Sequence, residues 1–449
     1  MTPRLMFCAP ASGSGKTTVT CAVLRALLRR GLRPMACKSG PDYIDPMFHS
    51  RVLGAQSCNL DLFFFSRSAA RALLARNAEH ADVTVLEGAM GYYDGIAMSS
   101  NASAWDLACT TDTPAVLVVD GRGRALSAAA EVQGFRSFRQ PSRIAGVVLN
   151  RVSPMLYPRL AETITRETGL PVFGYLPVME DCVIESRHLG LVTAAEIGDL
   201  QEKLDRMARQ AEQTMDLDGL LALARSAPAL DTEAPAPEPV PGRPGIAVAR
   251  DKAFCFYYEA SLQVLRDLGA ELIPFSPLKD AALPENIQGL YLGGGYPELY
   301  AETLSHNETM RRSVYEAVTG GMPTVAECGG FLYLHRTLKD PSGTSWPMAG
   351  VLDAEGYPTG KLSRFGYVTL TAEDDSLLFR RGETMPAHEF HYWDSTAPGT
   401  DFTARKPQSN RSWEAAVATK SLYAGFPHFH FASHPEAARR FLEAARIYR

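Results

Sequence analysis

Short apolar runs alternate with longer stretches of helical period along most of this chain. Runs at 5–9, 34–38, 83–87, 115–120, 144–150 and 172–176 read as strands. Between the first two, residues 18–30 repeat apolar side chains at helical spacing: Val19, Val23, Leu24, Leu27 and Leu28. Strands alternating with helices predict a parallel sheet covered on both faces. After residue 189 the pattern turns helical and polar, with 194–227 rich in Ala, Leu, Glu, Gln and Arg. Residues 227–245 then carry Pro228, Pro235, Pro237, Pro239, Pro241 and Pro244 among Ala and Glu. Such a segment cannot form helix or sheet interior and reads as an extended linker. A second alternation follows, with strands at 245–249, 271–275, 289–292, 323–326, 366–370, 415–419 and 423–431 and helices at 258–268 and 308–319. The fold class is therefore α/β in two domains, 1–192 and 245–449, joined by a helical and Pro-rich segment, 193–244.

Length agrees, because 449 residues exceed one ordinary core. A net charge of -5 gives no basic footprint for nucleic acid, and no apolar run reaches membrane-spanning length. The first residues enter a strand directly and lack the pattern of a signal peptide. Eight scattered cysteines without a CxxC pair offer neither a zinc site nor a disulfide framework, which suits a reducing cytoplasm.

Ligands of parallel sheets bind beyond the carboxyl ends of the strands, so the residues following each run carry the chemistry. The first run opens into Pro10-Ala11-Ser12-Gly13-Ser14-Gly15-Lys16-Thr17-Thr18. Gly13 and Gly15 let the backbone turn its amides into one anion-sized hollow, and a helix N-terminus faces it. The loop predicts nucleotide phosphate binding by Gly13, Ser14, Gly15, Lys16, Thr17 and Thr18, with Lys16 on the outer phosphates and the Thr17 hydroxyl toward Mg²⁺. Pro10 stands where the strict pattern has its first glycine. The second run ends in Ser39-Gly40-Pro41-Asp42-Tyr43-Ile44-Asp45-Pro46, and the third in Glu87-Gly88-Ala89-Met90-Gly91-Tyr92-Tyr93-Asp94-Gly95. Carboxylates beside phosphates serve Mg²⁺, which makes Thr17, Asp42 and Glu87 the metal candidates. Asn150-Arg151 lies at the depth of nucleotide-base contacts.

In the second domain the run at 323–326 leads into Glu327-Cys328-Gly329-Gly330. A cysteine between strand and helix fits a nucleophile elbow, where a helix N-terminus lowers the thiol pKa. Gly329, with Gly294 and Gly295 of the Gly293-Gly294-Gly295-Tyr296-Pro297-Glu298 loop, would supply oxyanion-binding amides. His428 and His430, two apart on one expected strand face, are the candidate bases, with His434 nearby.

PASGSGKTTV, KSGPDYIDPMFH, LEGAMGYYDG, LGGGYPELY, AECGGFLYL, HEFHY and HFHF, in this order and spacing, resemble the cobyrinic acid a,c-diamide synthase family over nearly the whole chain. The resemblance implies a dethiobiotin-synthetase-like N-terminal domain and a flavodoxin-like class I glutamine amidotransferase domain. It implies that ATP activates a carboxylate as an acyl phosphate. Ammonia, released from glutamine through a thioester on Cys328, converts it to an amide. The a and c acetates of a corrinoid acid would be amidated in turn. By the same resemblance Asp42, Tyr43, Ile44 and Asp94 bind substrate, and Glu87 binds substrate or metal. The base lies in the His-x-His-Phe strand, His430 being favoured over His428, and His434 is a decoy. Residues 388–392 stand open between substrate cleft, domain interface and packing. Hydrogenobyrinic acid or a nickel-sirohydrochlorin as substrate, and a P-loop switch with a silent glutaminase module, are the competing readings. Partners are small molecules only, and the oligomeric state is open.

Overall fold

The computed structural model describes residues 2–182, 194–230 and 238–448. The chain divides into two compact units, Met1–Ala234 and Pro235–Arg449.

The first unit is built on strands β1 (Arg4–Cys8), β2 (Pro34–Ser39), β3 (Gln56–Leu60), β4 (Val83–Glu87), β5 (Ala115–Asp120), β6 (Ile144–Asn150) and β7 (Val172–Leu176). They form one parallel sheet in the order β3-β2-β4-β1-β5-β6-β7. Alternate side chains feed two cores. Phe7, Val85, Val116, Val118 and Val148 pack on one face, and Met6, Cys8, Leu86, Leu117 and Leu149 on the other. Both faces are buried, so these strands read as unbroken apolar runs. β3, with sequence QSCNL, was not anticipated, because its first half is polar and solvent-facing at the sheet edge.

Helices Ala194–Thr214 and Leu217–Arg225 do not act as a connector, contrary to the expectation for 193–244. They belong to the first unit. Leu204, Met207, Ala208 and Ala211 are buried in the same core as Cys21, Leu24 and Leu27 of helix Lys16–Arg29. Arg25 pairs with Asp205 at 2.8 Å and Arg30 with Glu212 at 2.7 Å. The buried Arg4 guanidinium donates to the Pro228 carbonyl at 2.8 Å, tying the end of this segment to β1. The expected boundary at residue 192, and residues 231–237 of the Pro-rich stretch with Pro235 and Pro237, lie outside the described residues.

The second unit opens with β8 (Gly245–Ala249), β9 (Phe254–Phe256), β10 (Glu271–Phe275), β11 (Gly289–Leu292), β12 (Gly294–Gly295) and β13 (Thr324–Glu327). β10, β8, β11, β13 and strand Leu422–Gly425 run parallel, with Val417–Ala418 antiparallel at the edge. Helices Glu259–Asp267 and Glu308–Thr319 stand where the periodicity predicts them. A two-stranded β9–β12 ribbon, a mixed four-stranded sheet and an antiparallel five-stranded sheet complete the described part of the unit. The expected strand at 423–431 is not continuous. Leu422–Gly425 lies in the parallel sheet, His428–Phe429 pairs with Thr384–His391 in the five-stranded sheet, and Phe431–Ser433 is a 3-10 turn. Pro427 interrupts the run because it has no N–H for a ladder. His428 and His430 therefore do not share one strand face.

Candidate active sites

In the first unit β1 ends in the phosphate-type loop, and helix Lys16–Arg29 starts from Gly15 with no side chain capping its N-terminal amides. Those amides stay available to an anion. Gly15 has a φ of 94°, and a Cβ there would stand 1.9 Å from Asn150 Nδ2. Asn150 Nδ2 donates to the Ser14 carbonyl and Arg151 Nη1 to that of Gly13, each at 3.0 Å, while Arg151 pairs with Asp120 at 2.8 Å. The pair at the end of β6 thus holds the loop backbone from behind. No base contact is needed to account for it.

A cavity of about 320 Å³ opens over this loop, and Lys16, Thr17, Lys38, Asp45 and Glu87 line it. Thr17 Oγ1 donates to Glu87 Oε1 at 2.6 Å, and Lys38 Nζ reaches the same oxygen at 2.7 Å and Asp45 Oδ2 at 2.6 Å. Burial alone would lower the Lys38 pKa. The carboxylates of Glu87 and Asp45 outweigh it and hold the ammonium charged. Lys16 Nζ donates to the Ala11 carbonyl at 3.2 Å and to that of Met90.

The structure brings Thr17 and Glu87 together but leaves Asp42 out of the cavity lining, and Asp45 stands in its place. The Asp42 carboxylate accepts from the Ile44 N–H at 2.8 Å, and burial with the neighbouring Asp45 raises its pKa to about 7. Tyr43 and Ile44 begin helix Ile44–Phe48, with Ile44 packed on the core. Asp94 Oδ2 accepts from the Gly91 N–H at 3.0 Å and shapes its own turn. Lys38 escaped the motif reading, although a lysine inside an otherwise apolar parallel strand is itself a signal.

Among the described residues no group of three or more His, Cys, Asp or Glu forms a metal cage. Glu87 Oε2 is nevertheless buried without a hydrogen-bond donor, and the Thr17 hydroxyl sits against the other carboxylate oxygen. This oxygen pair fits a hard cation that takes its remaining ligands from phosphate and water.

In the second unit Cys328 joins β13 to helix Gly329–Tyr333 with φ 48° and ψ -98°. A non-glycine residue in this region is strained and marks a turn held by its surroundings. Its N–H donates to the Gly425 carbonyl at 2.7 Å, and the Gly330 N–H to that of Gly293 at 3.0 Å. A Cβ on Gly329 would stand 3.0 Å from the Gly295 nitrogen, so the two candidate oxyanion segments are in direct contact. A Cβ on Gly294 would meet His428 Cε1 at 2.6 Å and Nε2 at 3.4 Å. The Nε2 edge of that ring therefore lies against the oxyanion strand. Its Nδ1 is 3.3 Å from Glu327 Oε2.

His430 is placed differently. Its Nδ1 accepts from the Ala432 N–H at 3.1 Å and lies 3.1 Å from the Ser261 hydroxyl, and its ring stacks on Tyr258 at 4.8 Å. It caps the 3-10 turn Phe431–Ser433. His434 caps helix Pro435–Ile447 and faces Phe379. In 388–392, Glu389 and His391 are buried, and the His391 ring stacks on Phe426 at 4.0 Å.

The thiol is not pre-ionised as expected. Burial, then the carboxylates of Glu298 and Glu327, push Cys328 well above its ordinary value, against a smaller lowering by the Gly329 N–H. A helix of five residues carries too small a dipole to reverse this. Burial also lowers His428 to about 3 and raises Glu327 to about 8. At rest the thiol and imidazole are both neutral.

Residues 5–191 match the CobQ/CobB/MinD/ParA nucleotide binding domain, and residues 245–436 match the CobB/CobQ-like glutamine amidotransferase domain. A cobyrinate a,c-diamide synthase of Caldanaerobacter subterraneus is 40% identical over 436 residues, covering 96% of each chain. That of Thermoplasma volcanium is 40% identical over 448 residues, covering 98% of this chain and 97% of its own. That of Listeria monocytogenes is 38% identical over 437 residues, covering 95% of this chain and 96% of its own. With both units matched and relatives aligned along almost its full length, the chain belongs to the cobyrinate a,c-diamide synthase family of glutamine-hydrolysing ligases.

Proposed function

We propose that this chain amidates the a and c carboxylates of cobyrinic acid, with ATP activating each carboxylate and glutamine supplying the nitrogen. The reading rests on one conjunction: a phosphate loop with a carboxylate–hydroxyl pair beside it, and a strained cysteine against glycine amides and a histidine, in a chain whose full-length relatives are cobyrinate a,c-diamide synthases.

In the glutaminase site the Cys328 thiol attacks the side-chain carbonyl carbon of glutamine while His428 Nε2 takes its proton. The tetrahedral oxyanion is held by the Gly329 N–H and the Gly294–Gly295 segment. The intermediate collapses to a thioester, and His428 returns the proton to the departing ammonia. Water then attacks the thioester, again giving its proton to His428, and glutamate leaves with the thiol restored. Glu327, accepting from Nδ1–H, leaves Nε2 free to take the proton.

In the synthetase site a substrate carboxylate oxygen attacks the γ-phosphorus of ATP and ADP leaves. Ammonia attacks the acyl carbon of the resulting acyl phosphate and phosphate departs, leaving the amide. Lys16 and the loop amides stabilise charge on the transferring group, while Lys38 holds the Glu87 and Asp45 carboxylates in place. Thr17 and Glu87 would hold Mg²⁺, which when bound neutralises phosphate oxygens. Asp42, Tyr43, Ile44 and Asp94 act on substrate binding through the shape of the loops they brace.

The substrate is tested by offering cobyrinic acid, hydrogenobyrinic acid and nickel-sirohydrochlorin with ATP, Mg²⁺ and glutamine, and counting amides by mass. Two amides on cobyrinic acid, gained in turn, are expected; preference for another macrocycle overturns the assignment.

His428→Asn is expected to slow glutamate release on the order of 10²- to 10⁴-fold, the usual worth of a general base. His430→Asn should cost less than about tenfold, because its ring is committed to Ser261, Ala432 and Tyr258. Steady-state glutaminase assays of both variants decide the matter, and the reverse order would return the base to His430.

A further inference from the structure

The Gly293–Gly295 segment runs into the turn Pro297–Tyr300, which packs on the residue after the nucleophile. A Cβ on Gly329 would stand 2.9 Å from the Pro297 ring. On this turn the Glu298 side chain is buried, and among the described residues no lysine, arginine or histidine pairs with it. Three carboxylates act on the Cys328 thiol: Glu298, Glu327 and Glu389. Two are committed. Glu327 faces His428 Nδ1 and accepts from the Tyr291 hydroxyl at 3.3 Å. Glu389 accepts from Trp413 Nε1 at 3.3 Å and lies 3.7 Å from His391 Nε2. Among the described residues Glu298 has neither a cation nor a side-chain donor, its carboxyl accepting from its own backbone N–H. Among the same residues Glu389 keeps one buried oxygen, Oε2, without a hydrogen-bond partner.

Glutamine offers its amide to the thiol, and only three carbon–carbon bonds separate that amide carbon from the carbon bearing the α-ammonium. The ammonium must therefore enter the same enclosed surroundings, where an unpaired charge is strongly disfavoured. We infer that Glu298 receives the α-ammonium group of glutamine and thereby selects glutamine over amides that lack it. Burial raises the resting Glu298 carboxyl to about 7, and an ammonium beside it restores the ionised form. The inference rests on the glutaminase reading of Cys328.

The test compares glutamine with glutaric acid monoamide, which lacks only the α-ammonium, as substrates of the full-length chain. Glu298→Gln is expected to lower kcat/KM for glutamine on the order of 10- to 100-fold, mainly through KM, the worth of a charge-assisted hydrogen bond. Hydrolysis of the monoamide should fall far less, so the preference for glutamine collapses. Glu298→Asp keeps the charge and should keep part of that preference. It also carries the test if the glutamine variant does not fold. Equal losses on both substrates, or none on either, overturn the inference. A wild-type chain that hydrolyses neither amide overturns the glutaminase reading and the inference with it.

Discussion

Cys328→Ser is expected to abolish glutamine-driven amidation, by about 10³-fold or more, while ammonia-driven amidation at mildly alkaline pH stays within a few-fold of wild type. The substitution is nearly isosteric, and serine tolerates the local φ of 48° as well as cysteine does. The backbone bond from residue 328 to the Gly425 carbonyl needs no side chain. What changes is acidity. The thiol already ionises reluctantly, because burial and the Glu298 and Glu327 carboxylates oppose a second negative charge. A hydroxyl is a far weaker acid in the same place, and His428, held neutral by burial, lacks the basicity to deprotonate it. The phosphoryl-transfer groups belong to the other unit and keep their contacts with one another, so externally supplied ammonia still finds an acyl phosphate. Amide formation by mass, with each nitrogen source in parallel, reads the result. Loss of both activities would mean that Cys328 does not serve glutamine hydrolysis alone.

How much of this was legible beforehand depended on whether local chemistry or long-range pairing decided the position. The phosphate loop was readable because glycine spacing, Lys16 and the following helix are one contiguous signal, and each of the six expected strands of the first unit has its counterpart in the sheet. Cys328 was readable for the same reason, as a strand, one residue and two glycines in sequence. Asp42 and Asp45 were not separable, since both sit in one Gly/Pro turn. Which carboxylate faces the cavity follows from the Ile44 N–H capturing Asp42, a contact invisible in composition. The shared strand face expected for His428 and His430 does not form, because alternation was read across Pro427 as one strand. The chain instead changes sheets there, and tertiary contacts with Gly294 and Ser261 distinguish the two rings. The depressed thiol pKa expected from a helix N-terminus failed for want of length, since five residues cannot offset full burial.

Lys16→Ala is the complementary case, and the expected result is loss of amidation with either nitrogen source, by about 10²- to 10³-fold in kcat, with glutamine hydrolysis at Cys328 retained. The Lys16 ammonium donates to the Ala11 and Met90 carbonyls, bridging the loops after β1 and β4. Both acceptors are neutral, so a phosphate oxygen with full charge draws the ammonium away from them at small cost. Lys38 cannot substitute, because Glu87 and Asp45 already hold its charge. Burial, and after it repulsion from Lys38, lowers the Lys16 pKa, so an incoming phosphate relieves an unfavourable arrangement as well as adding a favourable one. Alanine leaves the loop glycines and the uncapped helix N-terminus in place. ATP should therefore still bind, more weakly, while the step that moves the phosphoryl group fails. Acyl phosphate trapping with hydroxylamine, in the absence of any ammonia, isolates that step. If the variant forms the hydroxamate within about tenfold of the wild-type rate, Lys16 does not stabilise phosphoryl transfer, and the loop serves nucleotide binding alone.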